Sequence, residues 1–191
     1  QNGIDLLPEL IGLPSGRRVY LVLFQNNMEL RPTGGFIGSY GLITFHQGRL
    51  ADFEVQDVYW ADGQLKGHVE PPADLKKSLG ENNWYFRDSN WEADFPIVAQ
   101  KAAWFVAKQL NRQVDVVVAS NTSMLASLLD VVGGVSLDDG RKVTSANVEQ
   151  IIIQGAWADQ SRKSVLLSVV QAILPKLQAM DAGQLGKISA W

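Results

Sequence analysis

The sequence predicts an α/β fold in which a mixed β-sheet with one long hairpin lies between helices. Residues 19–24 form a run that is apolar on both faces, as expected of a central strand covered on two sides. Two further strand patterns follow, joined by a turn signal. Beyond residue 94, helical patterns alternate with short strands. Interleaving of this kind is typical of a sheet enclosed by helical layers.

The long hairpin is predicted from alternation and from one turn. Gln47-Gly48 separates strand patterns at residues 36–45 and 50–58. In the second strand, alternation places Asp57 on the apolar side, at the strand end. An acid in that position needs a partner or an open sheet edge.

A long crossing segment, residues 60–93, follows the hairpin. It contains Trp60, Trp84 and Trp91 among several glycines and prolines, and a short helix is predicted at residues 73–79. Segments of this length inside a compact domain are more often functional than idle.

The remaining elements are predicted largely from their caps. Asp94, with Pro96 in the first turn, begins a helix that runs to about Leu110. An amphipathic helix begins at Ser161, and Pro175 should bend or end it. Between these two helices the sequence predicts a strand at 114–119, a helix capped by Asn121 or Thr122 that ends at Asp130 before Gly133-Gly134, a hairpin at Asp139-Gly140, and a helix capped by Thr144.

Composition indicates one globular domain, residues 1–191. Hydrophobic residues make up 46% and charged residues 19% of the chain. A net charge of -3 gives no basic footprint for nucleic acid, and the absence of cysteine excludes disulfides and thiolate sites. No apolar segment is long enough to span a bilayer. Because the chain starts at Gln1 without methionine, we expect a piece of a longer protein that reaches the membrane only through an anchor outside this fragment.

The strongest candidate for a binding surface is ELRPTGG at residues 29–35, which joins two buried strands. Arg31 offers a planar donor set suited to phosphate or carboxylate, and Thr33 adds a hydroxyl. Gly34-Gly35 allows close backbone approach. A simpler alternative is that Glu29 and Arg31 pair locally while the glycines only turn the chain. The segment is not a phosphate-binding Walker loop, because its glycines precede a strand.

Two further positions offer charge for a ligand. Arg87-Asp88 lies in an aromatic-rich stretch, where it forms either a sugar or phosphate site or a solvated pair on an aromatic loop. Arg162 stands at the start of the last helix, where its charge opposes the helix dipole and favours a nearby anion. A salt bridge to Asp159 is the simpler account of Arg162.

Other catalytic and metal signals are sparse. The two histidines fall at a turn and in a loop, which argues against a histidine-based triad. His68 and Glu70 alone are too few for a zinc site. Asp57, Asp62 and Asp88 supply oxygen ligands that suit magnesium, although scattered aspartates are common.

Residues 29–38, together with 87–91, 94–96 and 114–117, resemble a bacterial domain family of unknown function. The resemblance runs from about Gly16 to Leu177. Members of that family are typically anchored by an N-terminal transmembrane helix, with the domain outside the cytoplasm. The resemblance therefore implies an extracytoplasmic location for this domain.

A more distant resemblance is to the LytR–CpsA–Psr proteins, which transfer glycopolymers from polyprenyl-pyrophosphate carriers to the cell wall. It rests on residues 128–135 and 159–162. In that family arginines clamp the pyrophosphate and acids hold magnesium, as phosphoryl chemistry requires. Arg31, Asp57 and Arg162 match family positions. Three departures weaken the match, at residues 32–34, at residues 55–56, and near Gln154-Gly155 where an arginine pair is missing.

These observations lead to two hypotheses. The first is an extracytoplasmic domain related to glycopolymer transferases that binds a polyprenyl-pyrophosphate-linked glycan or another anionic ligand, with turnover left open. The second is a non-catalytic envelope module that kept the transferase fold, and a plain structural domain is a third alternative. The candidate ligand-binding residues are Arg31, Thr33, Asp57, Arg87, Asp88 and Arg162.

Overall fold

The computed structural model describes residues 16–158 and 162–179. The chain forms two compact units, the first extending to Ser120 and the second beginning at Asn121. The elements leading through the first unit are β1 (Arg17–Asn26), β2 (Phe36–His46), β3 (Arg49–Asp57), α1 (Val58–Asp62), α2 (Ala73–Leu79), a 3₁₀ turn (Phe86–Asp88), α3 (Phe95–Leu110) and β4 (Val116–Asn121). Those that follow are α4 (Thr122–Val132), β5 (Val135–Ser136), β6 (Lys142–Val143), α5 (Val148–Ala158) and α6 (Arg162–Gln178).

The first unit is built on a mixed four-stranded sheet in the order β3-β2-β1-β4. β1 and β2 pair antiparallel along their whole length, with a register shift at Phe24/Gln25. β2 and β3 form the predicted long hairpin, in which Ser39 lies opposite Asp57. The predicted α/β class is confirmed. α2 has the predicted bounds, and α3 ends at the predicted Leu110.

One hydrophobic core holds the first unit together. Alternate residues of β1 point into it, which is the period-two pattern of a strand. The inner face of α3 covers them at helical spacing. Full burial of one large apolar side chain contributes about 1.5–3 kcal/mol. The core side chains from β1 and α3 are Val19, Leu21, Leu23, Val98, Ala102, Phe105 and Val106.

The second unit has its own core of buried aliphatic side chains. Asn121 caps α4 by accepting a hydrogen bond from the Met124 amide at 2.9 Å, and Gly133 ends the helix with a φ of 71°. β5 and β6 form the hairpin predicted around Asp139-Gly140. The fully or nearly buried members of this core are Leu125, Leu129, Val135, Leu137, Val143, Val148, Val165, Val169 and Ile173.

Several boundaries differ from the prediction, and three of these differences have a cause in the structure. β3 ends at Asp57 and not at residue 58, because the Asp57 carboxylate accepts from the Tyr59 amide at 2.7 Å and starts α1. β4 begins at Val116 because the Asp115 carboxylate accepts from the Val19 amide at 2.8 Å in place of a backbone carbonyl.

The third difference concerns Pro175, which was expected to bend or end the last helix. α6 continues past it to Gln178. Proline lacks a donor but keeps its acceptor, and the Pro175 carbonyl accepts from the Ala179 amide at 3.1 Å. Within residues 16–158 and 162–179, no helix has both the length and the apolar character needed to cross a membrane.

Candidate functional site

The segment at residues 29–35, called the motif loop below, is held by its own backbone. The Glu29 amide donates to the Asn26 carbonyl at 3.1 Å, and the Phe36 amide donates to the Glu29 carbonyl at 2.9 Å. A second turn closes inside the loop, where the Gly34 amide donates to the Arg31 carbonyl at 3.1 Å. The loop is therefore a hydrogen-bonded turn that connects β1 to β2.

Gly35 is required by this geometry. Its φ is 147°, a region that side chains other than glycine rarely enter. A Cβ at Gly35 would lie 2.3 Å from the Asn26 carbonyl oxygen, which is backbone and cannot rotate away. The close approach that glycine allows here is therefore to the protein's own chain.

The Thr33 hydroxyl, a predicted ligand-binding group, is engaged within the protein. It accepts from the Gln25 side-chain amide at 2.9 Å and from the Asn90 side-chain amide at 3.2 Å. Asn90 is fully buried and also donates to the Gly35 carbonyl at 2.7 Å. Asn90 thus ties the crossing segment to the motif loop.

Arg31 reaches across to the crossing segment. Its guanidinium lies 3.4 Å from the Asp88 carboxylate and 5.3 Å from the centre of the Phe36 ring. The ion pair is with Asp88, 57 residues further along the chain, and not the local one with Glu29 that the simpler alternative proposed. Nη1 donates to the Leu30 carbonyl at 3.0 Å, and the buried Nε has no partner in the part of the chain that the structure describes.

Arg87 is held much more completely than Arg31. Nη1 lies 3.0 Å from Asp62, Nη2 lies 2.8 Å from Glu81, and Nε lies 3.4 Å from Asp88. Its guanidinium also stacks over the Tyr85 ring at 4.2 Å. Asp88 joins the two arginines into one acid–arginine cluster, whose members are Arg31, Asp62, Glu81, Arg87 and Asp88.

The acid–arginine cluster is not a free positive site. Two guanidinium groups face three carboxylates, which gives a formal charge of -1 when all are ionised. Burial raises the pKa of both Asp62 and Asp88 above the ordinary aspartate value, although the arginines oppose that shift. Asp62 also accepts from the Phe86 amide at 2.9 Å, so it fastens the 3₁₀ turn to α1.

Three buried polar atoms at this place lack a hydrogen-bond partner among residues 16–158 and 162–179. They are Arg31 Nε, Ser89 Oγ and Asn90 Oδ1. Buried polar groups are normally hydrogen-bonded, and an unpaired one costs about 1–3 kcal/mol. Arg31, Ser89 and Asn90 therefore each carry a buried donor or acceptor that no described residue uses.

The remaining predicted site residues lie apart from these contacts. The Asp57 carboxylate accepts a hydrogen bond from the backbone in the first turn of α1. Among the described residues it makes no ion pair with Arg31 or Arg87. Arg162 begins α6 in the second unit, and its side chain lies outside the described part of the chain, as does Asp159. The convergence of Arg162 with the other candidates stays a prediction.

The described residues contain no group of three or more histidine, cysteine or acidic side chains placed to hold a metal ion. Of the three aspartates considered for magnesium, Asp62 and Asp88 lie against arginine and Asp57 caps a helix. His68 and Glu70 form an exposed pair at 2.8 Å, joined by Lys76.

Residues 15–157, which include the motif loop and the acid–arginine cluster, match a protein-family model described as "Protein of unknown function (DUF4012)". The chain belongs to that family. A comparison with curated proteins found no match to this DUF4012 sequence.

Solved structures show that the DUF4012 chain has the LytR–CpsA–Psr fold. Protein gbs0355 from Streptococcus agalactiae is 14% identical, with 100% of this chain and 69% of that chain covered at a TM-score of 0.65. B. subtilis TagV is 10% identical, with coverages of 93% and 72% and a TM-score of 0.62. The LytR-CPS2A-psr family protein YwtF (TagT), solved with bound octaprenyl pyrophosphate lipid, is 12% identical, with coverages of 87% and 67% and a TM-score of 0.54.

Sequence reasoning missed several residues that build the DUF4012 site. Asp62 had been considered only for magnesium, and Glu81, Gln25 and Asn90 had not been singled out. The one available signal was position: Asn90 and Glu81 fall in the long aromatic segment that also carries Arg87. Which partner each would meet depends on contacts across the fold, which local patterns do not give.

Proposed function

We propose that this is an extracytoplasmic domain that binds a phosphorylated ligand, of the polyprenyl-pyrophosphate or phosphorylated-glycan class, with Arg31 as the contacting cation. The observation that carries the proposal is the difference between the two arginines. Arg31 lies 3.4 Å from Asp88, and its Nε is unpaired within the described residues, whereas Arg87 is paired with carboxylates at both of its Nη atoms. Arg87 then serves as a positioning residue that fixes Asp88.

The fold supports the ligand class. A solved relative with the same fold carries octaprenyl pyrophosphate. A guanidinium is suited to phosphate oxygens because it donates in a planar, bidentate way. The hydroxyl of Ser89, which follows Asp88 in sequence, has no partner among the described residues and adds a neutral donor. The proposal covers binding and leaves turnover to measurement.

Asp88 makes the proposed binding depend on pH. An anion that takes Arg31 from Asp88 leaves that buried carboxylate facing Arg87 alone. Burial already raises the pKa of Asp88, so binding should be accompanied by proton uptake. Calorimetric titrations in two buffers of different ionisation enthalpy would measure that uptake.

The experiment titrates the chain with farnesyl pyrophosphate, with and without magnesium. Loss of a hydrogen bond to a charged group costs about 1.5–3 kcal/mol, so Arg31→Ala should weaken binding roughly 10- to 100-fold. Arg31→Lys should recover part of the affinity. Arg141→Ala removes the same charge from an exposed pair in the second unit and is the matched control. Saturable binding that is unchanged in Arg31→Ala would refute the assignment.

A second candidate function is a non-catalytic envelope module that uses this surface for polysaccharide or protein contacts. The excess of carboxylates over arginines in the acid–arginine cluster favours it, because such a cluster already satisfies its own cations. Binding of an unphosphorylated glycan, with no saturable response to farnesyl pyrophosphate, would decide for this candidate.

The extracytoplasmic location, with an anchor in the full-length protein, is part of the proposal. Its support is the family resemblance, and it is tested separately from binding. Alkaline phosphatase is active only after export, so a fusion placed after this domain in the full-length protein should be active. An inactive fusion in an expressed, stable protein would place the domain inside the cell.

A further inference from the structure

The outer face of α3 carries a stripe of exposed or half-buried apolar and basic residues. Ile97, Lys101, Trp104 and Lys108 are spaced four, three and four residues apart, which puts them on one side of a helix. Ile97 is 49% exposed and Trp104 is 42% exposed. These four residues are called the α3 stripe below.

The lysines of the α3 stripe lie against indole rings. Lys101 Nζ lies 4.6 Å from the centre of the Trp84 ring and 5.2 Å from that of Trp104, and Lys108 Nζ lies 5.3 Å from Trp104. In the described part of the chain neither ammonium is in an ion pair, and α3 itself contains no aspartate or glutamate. The stripe therefore presents uncompensated positive charge around an exposed tryptophan.

We propose that the α3 stripe docks on an anionic lipid bilayer surface. Tryptophan rings favour the boundary between headgroups and acyl chains, and lysine stems extend along apolar surface while the ammonium reaches phosphate. Ile97 has no polar atom in its side chain for a glycan or a nucleotide to use, whereas burial in the acyl boundary suits it. A convex helix face also fits a broad surface better than it encloses a small ligand.

Charge is distributed unevenly along α3, with acidic residues before its first turn and lysines further along. Glu92 and Asp94 lie exposed just before the helix, so the positive end of the stripe is at Trp104 and Lys108. We therefore expect the C-terminal half of α3 to approach the bilayer first. This goes beyond an anchor outside the fragment, because the folded domain would contact the membrane itself.

The α3 stripe is continuous with the acid–arginine cluster. Trp84, which contacts Lys101, donates from its indole Nε1 to the Asp88 carbonyl at 3.0 Å. Docking through the stripe would bring Trp84 toward the headgroups, and Trp84 is hydrogen-bonded to the backbone of Asp88. The docking proposal does not depend on the proposed phosphorylated ligand, because ordinary anionic lipids suffice for it.

The test is flotation of the chain with vesicles of phosphatidylglycerol and phosphatidylcholine, compared with vesicles of phosphatidylcholine alone. We expect binding only to the anionic vesicles, and weaker binding at higher salt. A basic residue near such a surface contributes about fivefold in partitioning, so the double variant Lys101→Gln/Lys108→Gln should lose roughly 25-fold. Lys66→Gln/Lys77→Gln removes two exposed lysines elsewhere in the first unit and should change nothing.

Several outcomes would overturn the proposal. They are no binding of the unmodified chain to anionic vesicles, equal binding to neutral vesicles, or an equal loss in the control double variant. Binding of a soluble anionic glycan that is lost in the stripe variant, without vesicle binding, would reassign the stripe. Arg31→Ala should keep vesicle binding while losing farnesyl pyrophosphate, so the two proposals fail separately.

Discussion

Replacing Gly35 with alanine tests whether the motif loop is fixed by backbone contact. The new Cβ would lie 2.3 Å from the Asn26 carbonyl oxygen and 2.7 Å from the Asn27 amide nitrogen. Both are backbone atoms, so the loop must open. A residue forced into a glycine-only φ region costs about 1–3 kcal/mol, and displacing packed neighbours costs about 1–3 kcal/mol more.

The expected loss of about 3 kcal/mol should lower the melting temperature by roughly 10 °C for a chain of this size. Circular dichroism melts and urea denaturation measure both quantities. Gly38→Ala is the matched control, since Gly38 lies three residues further on in β2 and a Cβ there meets nothing within 4 Å. If Gly35→Ala melts within about 2 °C of the unmodified chain, where the size scaling predicts several times that shift, the loop is not held as described.

Three further predictions concern the acid–arginine cluster and its support. Arg87→Ala leaves the buried Asp62 carboxylate without a cation and should cost about 3–5 kcal/mol in urea denaturation, while Arg141→Ala, from an exposed pair, should leave the midpoint unchanged. Burial raises the pKa of Asp88 above 3.8, so ionisation of this carboxyl disfavours the folded state. The free energy of unfolding should therefore rise as pH falls through the folded-state pKa and Asp88 becomes protonated. Melting temperatures of Asp88→Asn should therefore change less with pH between that raised value and 3.8 than those of the unmodified chain. Asn90→Ala leaves the Gly35 carbonyl unpaired and should cost about 1–3 kcal/mol in the same denaturation assay.

The parts of the fold that sequence predicted are those fixed by local patterns. The β2–β3 hairpin follows from alternation and a turn, and α3 follows from a cap and a period of 3.6 residues. The end of β3 and the start of β4 differ from the prediction because a single side chain, Asp57 or Asp115, decides each of them. Asp115 reaches β1 from 96 residues away, and no local pattern reports such a contact.

The sequence singled out the motif loop as a candidate but did not predict its interactions. The motif loop was identified by its arginine, threonine and glycines, yet the Thr33 hydroxyl is taken by two amides and the glycine faces the protein's own backbone. Arg31 found its partner in Asp88 through a long-range contact that the sequence could not specify. The ligand-binding assignment of these residues stays a prediction.

The Arg31–Asp88 pair offers a way to separate folding from binding at this site. Removing Arg31 leaves the buried Asp88 carboxylate facing Arg87 alone, and removing Asp88 takes away the carboxylate that Arg31 contacts. A single substitution therefore confuses a lost ligand contact with a loss of stability. Replacing both, as Arg31→Met with Asp88→Asn, removes the pair together, and such replacements are often close to neutral in stability. Methionine keeps an unbranched chain over the Phe36 ring, where the guanidinium now lies at 5.3 Å. A double variant that melts like the unmodified chain but no longer binds farnesyl pyrophosphate would assign Arg31 to the ligand, because stability could not explain the loss. Unchanged binding in that folded variant would mean that Arg31 and the motif loop contribute to folding and not to binding of farnesyl pyrophosphate.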